Sequence, residues 1–140
     1  MPDVDIYDYD LPGYAKLFNF KSWRVAMLNH DHDLDLENIT FLEAHRLTDE
    51  AFVLLQGNCV LITADCLEGR ITGFKMRNLV PSKVAKVAKG VYHTHILSKD
   101  AKVLIIEEDS TDETNSTRIM LDDEAITCLR RQMEEHRHDL

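Results

Sequence analysis

Short runs of apolar residues, several of them alternating with polar positions, recur along the chain from residue 22 onward. Turn signals such as Gly57-Asn58 and Glu68-Gly69 separate these runs, and this combination is typical of β-strands. The pattern predicts strands at residues 23–28, 39–46, 50–56, 59–64, 70–79, 91–97 and 102–107. Several short strands at near-regular spacing favour a β-sandwich or a β-barrel.

The C-terminal segment, residues 122–137, has the different periodicity of an amphipathic helix. Asp122 or Asp123 can cap its start, and Glu124 suits its first turn. Three apolar residues recur at helical spacing, namely Ile126, Leu129 and Met133. This apolar stripe predicts that the helix covers a sheet surface.

Residues 82–90 are compatible with either a short helix or a strand. Read locally, Ser82 is suited to cap a short helix and Gly90 to end it. The lysines between them are then a solvated face. The same segment lies between two predicted strands and is also compatible with a further strand.

The 140 residues are the size of one domain. We divide the chain into an N-terminal arm at residues 1–21, a β-barrel at residues 22–121 and a helix at residues 122–140. The arm is acidic and aromatic and contains the turn signal Pro12-Gly13. We expect an irregular segment that packs onto the body or onto a second subunit.

The net charge of −9 and the pI of about 5.1 argue against nucleic acid and anionic membranes as partners. The N-terminal residues lack the basic start and apolar stretch of a signal peptide, and no apolar run approaches the roughly 20 residues that cross a bilayer. The three cysteines, Cys59, Cys66 and Cys128, form no CxxC pair. We therefore expect reduced thiols in a cytoplasmic protein.

Acidic and imidazole side chains share faces with apolar ones in three predicted strands. Because alternate residues of a strand point to the same side, Glu43 and His45 lie on one face with Ile39 and Phe41. In the same way Glu50 shares a face with Phe52 and Leu54, and His93 and His95 share a face with Val91 and Leu97. Buried Glu and His are costly unless they are paired or ligated, and a divalent metal would satisfy them.

The spacing of these residues resembles the two motifs of the cupin superfamily. His45, four residues, Glu50, six residues and Gly57 are similar to the first motif, and Gly90 and His93 are similar to the second. The resemblance covers roughly residues 39–107. It implies an all-β fold, the double-stranded β-helix or cupin jelly roll, here followed by the C-terminal α-helix. It also implies that part of residues 82–90 is strand.

The resemblance implies four metal ligands, Glu43, His45, Glu50 and His93. Where the family has a histidine, a proline and an asparagine, this chain has Glu43, Ala88 and Leu97. A mixed His/carboxylate set suits Fe, Mn, Zn or Ni. Two carboxylates, two neutral imidazoles and a divalent ion sum to zero, so we expect a weaker Lewis acid than in standard relatives, or no metal. The alternatives are a metal-free acid/base cluster and an inert polar core.

The remaining histidines carry weaker signals. His95 faces the same way as His93 and is either a substrate-binding group or a satisfied core histidine. His30 and His32 lie in an acidic loop and are expected to be solvated, and His136 and His138 lie at the end of the helix and are expected to be passive.

The sequence leaves open whether the protein is an enzyme. The first hypothesis is a metal-dependent or acid/base enzyme that acts on a small polar molecule, a sugar derivative or an organic acid, inside the barrel. The alternatives are a metal-free small-ligand binding module and a structural barrel. Because residues 39–46 and 50–56 are apolar on both faces, both faces must be covered, and we expect a homodimer.

Overall fold

The computed structural model describes residues 3–138. Its strands are β1 (Gly13–Phe20), β2 (Trp23–Asn29), β3 (Phe41–His45), β4 (Glu50–Gln56), β5 (Cys59–Leu67), β6 (Arg70–Asn78), β7 (Val84–Val87), β8 (His93–Leu97), β9 (Lys102–Glu108) and β10 (Ser116–Met120). One α-helix, α1 (Asp123–His138), follows them. Short 3₁₀ turns lie at His32–Leu34, Leu36–Asn38 and Glu113–Asn115.

The strands form two five-stranded antiparallel sheets. Sheet I has the order β1-β2-β9-β4-β7 and sheet II the order β10-β3-β8-β5-β6. Apart from the pairs β1–β2 and β5–β6, strands that follow each other in the chain, such as β3 and β4 or β8 and β9, lie in different sheets. This crossing between two facing sheets is the jelly roll that the sequence predicts, and the all-β prediction is confirmed.

The inward faces of the two sheets form the main core. Phe52 and Val103 are completely buried there, and Ile105 and Leu61 pack with them. Inward residues alternate with outward ones along each strand, because the side-chain period of a strand is two. Ile105 is 2% exposed whereas its neighbour Ile106 is 40% exposed.

The helix α1 covers the outer face of sheet II, as its apolar stripe predicts. Leu129 and Met133 pack against Leu42 and Ile62 in a second buried cluster. Asp122 caps the helix, since its side chain accepts a hydrogen bond of 2.8 Å from the Ala125 N–H. No helix within residues 3–138 has the length and apolar character required to cross a bilayer.

Residues 82–90 contain a strand, and the local helix description is wrong. Residues Val84–Val87 pair with β4 as the edge strand of sheet I. Pairing with β4 gives the backbone more hydrogen-bond partners than a short isolated helix would have. Tertiary context therefore overrides the local helix propensity. Gly90 has φ +83° and donates its N–H to the His45 carbonyl at 2.8 Å, which closes the turn into β8.

Part of the predicted irregular arm is strand as well. Gly13–Phe20 form β1 and pair with β2 along their length, with a bulge near Lys16. Residues 3–12 have no regular structure but are attached to the body. The ring of Tyr7 lies 5.0 Å from that of Phe18, and Asn29 donates to the Tyr9 carbonyl at 2.7 Å.

Candidate metal centre and ligand cavity

A cavity of about 710 Å³ opens between the two sheets. Its floor is formed by polar side chains from four strands, and its mouth lies among the loops that carry the 3₁₀ turns. His45 ends β3, Glu50 begins β4 and His93 begins β8. The fold thus brings together three side chains that the chain separates by up to 48 residues.

His45, Glu50 and His93 form a compact buried cluster. One ligand atom from each lies within 4.8 Å of the others. His93 Nε2 is 3.0 Å from Glu50 Oε1, and His45 Nε2 is 3.5 Å from Glu50 Oε2. Two imidazoles and one carboxylate in this arrangement are the donor types that bind Fe(II), Mn(II), Ni(II) and Zn(II).

The far nitrogens of both imidazoles are held by outer contacts. His93 Nδ1 lies 2.9 Å from the Val91 carbonyl, which can only accept, so Nδ1 carries a proton. In a neutral His93, the Nε2 atom then carries a lone pair, and this lone pair faces a carboxylate oxygen. His45 Nδ1 is 2.8 Å from the Ser116 hydroxyl, which likewise fixes the ring. Such outer contacts orient imidazoles toward a metal.

The carboxylates and imidazoles of the floor shift one another's pKa values. Burial alone would raise the pKa of Glu50, but contacts with His45 and His93 hold it well below its ordinary value. Burial opposes the charged form of His45, yet the nearby carboxylates of Glu50, Glu107 and Glu43 raise its pKa. The floor therefore favours an ionised Glu50, the form that binds a cation.

Glu43, the fourth predicted ligand, does not join this cluster. Its Oε2 accepts a hydrogen bond of 3.1 Å from Arg118 Nε, and its Oε1 is 3.9 Å from His45 Nδ1, the nitrogen turned away from Glu50. Arg118 lies directly across the strand pair from Glu43 and stacks over the Phe41 ring at 4.3 Å. This cross-strand pair draws the Glu43 carboxylate toward the mouth.

His95 lines the cavity, as its position on β8 predicts, but does not touch the cluster of three. Its ring lies 6.0 Å from that of Phe52 in an edge-to-face arrangement. Its Nδ1 atom is buried and has no hydrogen-bond partner within the described residues. Burial lowers the pKa of His95 to about 4, so the ring is neutral at pH 7.

Sequence reasoning missed three residues of the floor: Glu107, Arg24 and Tyr14. Glu107 follows Val103 and Ile105 on the inward face of β9, and this alternation was the signal for a buried carboxylate. Its Oε1 accepts hydrogen bonds of 2.7 Å from both Arg24 and the Tyr14 hydroxyl. Burial and the adjacent Glu50 carboxylate raise the pKa of Glu107 to about 7.

The other histidines lie outside the floor. His30 Nε2 is 2.7 Å from Asp35 Oδ1 in the loop before β3, and His32 is largely exposed beside the same carboxylate. His136 contacts Asn78 at 2.8 Å on the outer face of sheet II. The side chain of His138 lies outside the described residues.

No family model and no curated protein matches the sequence. Solved structures do match. A cupin-2 domain containing protein from Shewanella frigidimarina is 16% identical with a TM-score of 0.53, over 71% of this chain and 84% of that one. A variant of Streptomyces PAC13 with uridine is 8% identical with a TM-score of 0.58, and the match covers 89% of this chain and 97% of that one. The iron(II) form of HppE is 17% identical with a TM-score of 0.53, and the match covers 76% of this chain and 62% of that one. The chain therefore has the cupin fold, which confirms the resemblance at the level of architecture.

Proposed function

We propose that the protein binds a divalent transition metal through His45, Glu50 and His93 and acts there on a small polar molecule. The observation that carries the proposal is the 3.0 Å separation of His93 Nε2 and Glu50 Oε1. With Nδ1 protonated toward Val91, a neutral His93 presents a lone pair to another lone pair, and a cation between them removes the repulsion.

The donor set suits such a cation. Two imidazoles and one carboxylate leave coordination positions free toward the cavity, which is the pattern of catalytic rather than structural sites. A bound ion would polarise an oxygen of the substrate or lower the pKa of a water. Around it, His45 and His93 are held in orientation by Ser116 and Val91. The iron named for one structural neighbour is consistent with this assignment.

The charge of the cavity favours a neutral polar substrate over an organic acid. Seven carboxyl side chains line it, against two arginines, Arg24 and Arg118. Both arginines are engaged by carboxylates, since Arg24 pairs with Glu107 and Arg118 with Glu43. An anion would meet repulsion at the mouth, and among the described residues that line the cavity it would find no arginine without a carboxylate partner. A sugar derivative or a nucleoside avoids that repulsion, and uridine is bound in one structural neighbour.

A metal-free binding module is the second candidate, and the same contact supports it. If His93 carries a second proton, its Nε2 donates to Glu50 and the pair needs no metal. The low pKa of Glu50 is compatible with this ion pair. The cavity would then hold a small ligand without metal-assisted chemistry.

Metal content separates the two candidates. Protein purified without chelator should contain one transition metal per chain by elemental analysis, or bind one when Mn(II) or Zn(II) is titrated into it. Glu50→Ala should lose this binding because it removes the shared carboxylate of the cluster. Glu113→Ala is the control, since Glu113 lies at the mouth with an 86% exposed side chain. A wild-type protein that neither contains nor binds metal would refute the metal proposal and favour the binding module.

A further inference from the structure

We propose that Glu107 is a fourth ligand of the metal site, in the role that the sequence motif assigns to Glu43. This inference rests on the proposed metal at His45, Glu50 and His93. The juxtaposition behind it is a buried carboxylate oxygen, Glu107 Oε2, that has no donor within the described residues and lies 4.0 Å from His45 Nε2.

The two oxygens of Glu107 have very different surroundings. Oε1 accepts from Arg24 and from the Tyr14 hydroxyl, each at 2.7 Å. Oε2 accepts nothing, although the residue is only 5% exposed. A buried carboxylate oxygen that no donor reaches is costly, and the raised pKa of Glu107 is in keeping with that cost. A cation on the floor of the cavity would satisfy this oxygen.

The distances are those that one ion can span. Two ligand atoms, each about 2.1 Å from the same ion, can be at most about 4.2 Å apart. The pairs His93–Glu50, His45–Glu50 and His45–Glu107 measure 3.0, 3.5 and 4.0 Å between their facing atoms. The His45–Glu107 pair falls within this limit, whereas the ligand atoms that all lie within 4.8 Å of one another come from His45, Glu50 and His93 alone. Glu107 therefore reaches the ion from the His45 side, and its carboxylate has to turn further into the cluster to bind.

Arg24 holds the Glu107 carboxylate in place. The two residues are paired across β2 and β9, and Arg24 also donates to the carbonyls of Asp109 at 3.1 Å and Thr111 at 3.0 Å. A ligating carboxylate is ordinarily held by such outer hydrogen bonds. The guanidinium also offsets the charge of the second carboxylate, so the four ligands, the ion and Arg24 together sum to +1.

Glu43 lacks each of these features. Its side chain is 27% exposed, its Oε2 is occupied by Arg118, and it approaches His45 from the Nδ1 side. The Nδ1 atom faces Ser116 and not the cluster. Glu43 and Glu107 are therefore a matched pair of carboxylates, one beside the floor and one within it.

The test compares metal binding in the wild type, Glu107→Gln and Glu43→Gln. Calorimetric titration of metal-free protein with Zn(II) should give at least about a tenfold loss of affinity in Glu107→Gln, because even outer-shell changes cost 10–100-fold. Glu43→Gln should stay within about twofold of the wild type. The visible spectrum of the Co(II)-loaded protein should change in Glu107→Gln and be retained in Glu43→Gln, since it reports the ligand set.

Glu107→Asp guards against a purely structural effect. It keeps the negative charge beside Arg24 but shortens the side chain by one methylene, so it should fold as the wild type does and still bind Zn(II) less tightly. Thermal unfolding of the metal-free variants checks the fold. Wild-type affinity and an unchanged Co(II) spectrum in Glu107→Gln would overturn the fourth ligand while leaving the three-residue site intact. In that case Glu50→Ala would lose Zn(II) binding and Glu107→Gln would keep it. A wild type that binds no metal would overturn both.

Discussion

His95 shows how burial sets the charge of a single side chain. It lines the cavity behind the metal cluster, against the Phe52 ring, and its Nδ1 atom is buried without a partner. Burial lowers its pKa from the ordinary 6.5 to about 4, although Glu50 opposes the shift. A neutral imidazole here can donate or accept one hydrogen bond, so His95 remains our candidate for substrate binding.

This pKa gives His95 a defined effect on stability. Because the folded pKa is depressed, the unfolded chain binds the extra proton first as the pH falls below 6.5, and folding loses stability until about pH 4. The loss is up to about 3 kcal/mol at roughly 1.4 kcal/mol per pKa unit.

We therefore expect the difference in unfolding free energy between the metal-free wild type and His95→Gln to shift by up to about 3 kcal/mol between pH 7 and pH 4. Urea unfolding at several pH values measures it. His32→Gln, with a 77% exposed side chain, is the surface control for the substitution itself. A pH-independent difference for His95→Gln would mean that the ring titrates normally in the folded protein.

At the scale of single residues, the sequence predicted those side-chain positions that depend only on the spacing of residues along a strand. The cluster of His45, Glu50 and His93 follows from strand alternation and from the two motifs. The position of Glu43 does not, because it depends on Arg118, 75 residues away, which no local pattern connects to it. Glu107 was within reach of the same alternation rule, but it lies outside both motifs.

Among the elements, the turn that leads from β4 in sheet I to β5 in sheet II depends on one residue. Gly57 adopts φ +71°, and a Cβ atom there would lie 2.8 Å from the Cα atom of Ala101. Backbone cannot move aside as a flexible side chain can, so both conformation and space require glycine. Gly69 adopts a similar φ of +77° in the β5–β6 turn, with nothing within 4 Å of its Cβ position.

Alanine substitutions at Gly57 and Gly69 distinguish the cost of backbone strain from the cost of steric contact. We expect Gly69→Ala to cost about 1 kcal/mol, the penalty of a left-handed conformation for a residue with a Cβ. Gly57→Ala should cost about 1–3 kcal/mol more, since the neighbouring chain must also shift. Chemical denaturation measures both. Equal losses would show that the β4–β5 turn can relax around the added methyl group.

Strand prediction from the local pattern failed where the sheet partner decides the structure, although for residues 82–90 the family resemblance did imply a strand. Residues 84–87 are alanine, lysine and valine, which are compatible with a helix, and only pairing with β4 makes them a strand. Strand β10 is polar at Ser116, Thr117 and Arg118 and has no apolar alternation, yet it pairs with β3. The helix α1 needed no such partner to be recognised, because its capping residue and stripe are local.

For the whole molecule, the outer face of sheet I is covered only in part, since the arm contacts Asn29 and Lys102 near β2 while the β4 and β7 side is open. The helix packs on sheet II, whereas an apolar row crosses the open part of sheet I through Leu104, Val53 and Val84. On this face Val84 is 71% exposed, Leu55 53% and Ile106 40%. Exposed apolar surface of this kind favours association, and we propose a two-fold homodimer through this face.

We expect sedimentation velocity at micromolar concentration to give a dimer for the wild type. Ile106→Lys should shift it toward monomer, because it places a charge in the centre of the face without touching the inward core. Leu67→Lys, at an exposed position in sheet II, is the control and should remain dimeric. Circular dichroism verifies that both variants fold. A monomeric wild type would refute this interface.

The acidic lining of the cavity has a consequence for the direction of turnover. A substrate that enters neutral and gains a negative charge in the reaction would be repelled by carboxylates such as Asp31, Asp33 and Asp112 at the mouth. Its departure would be fast and its return slow, so the fold would discourage inhibition by an acidic product. The same carboxylates would also disfavour a transition state that builds up negative charge near the mouth, so this effect concerns release of a product and not the chemical step.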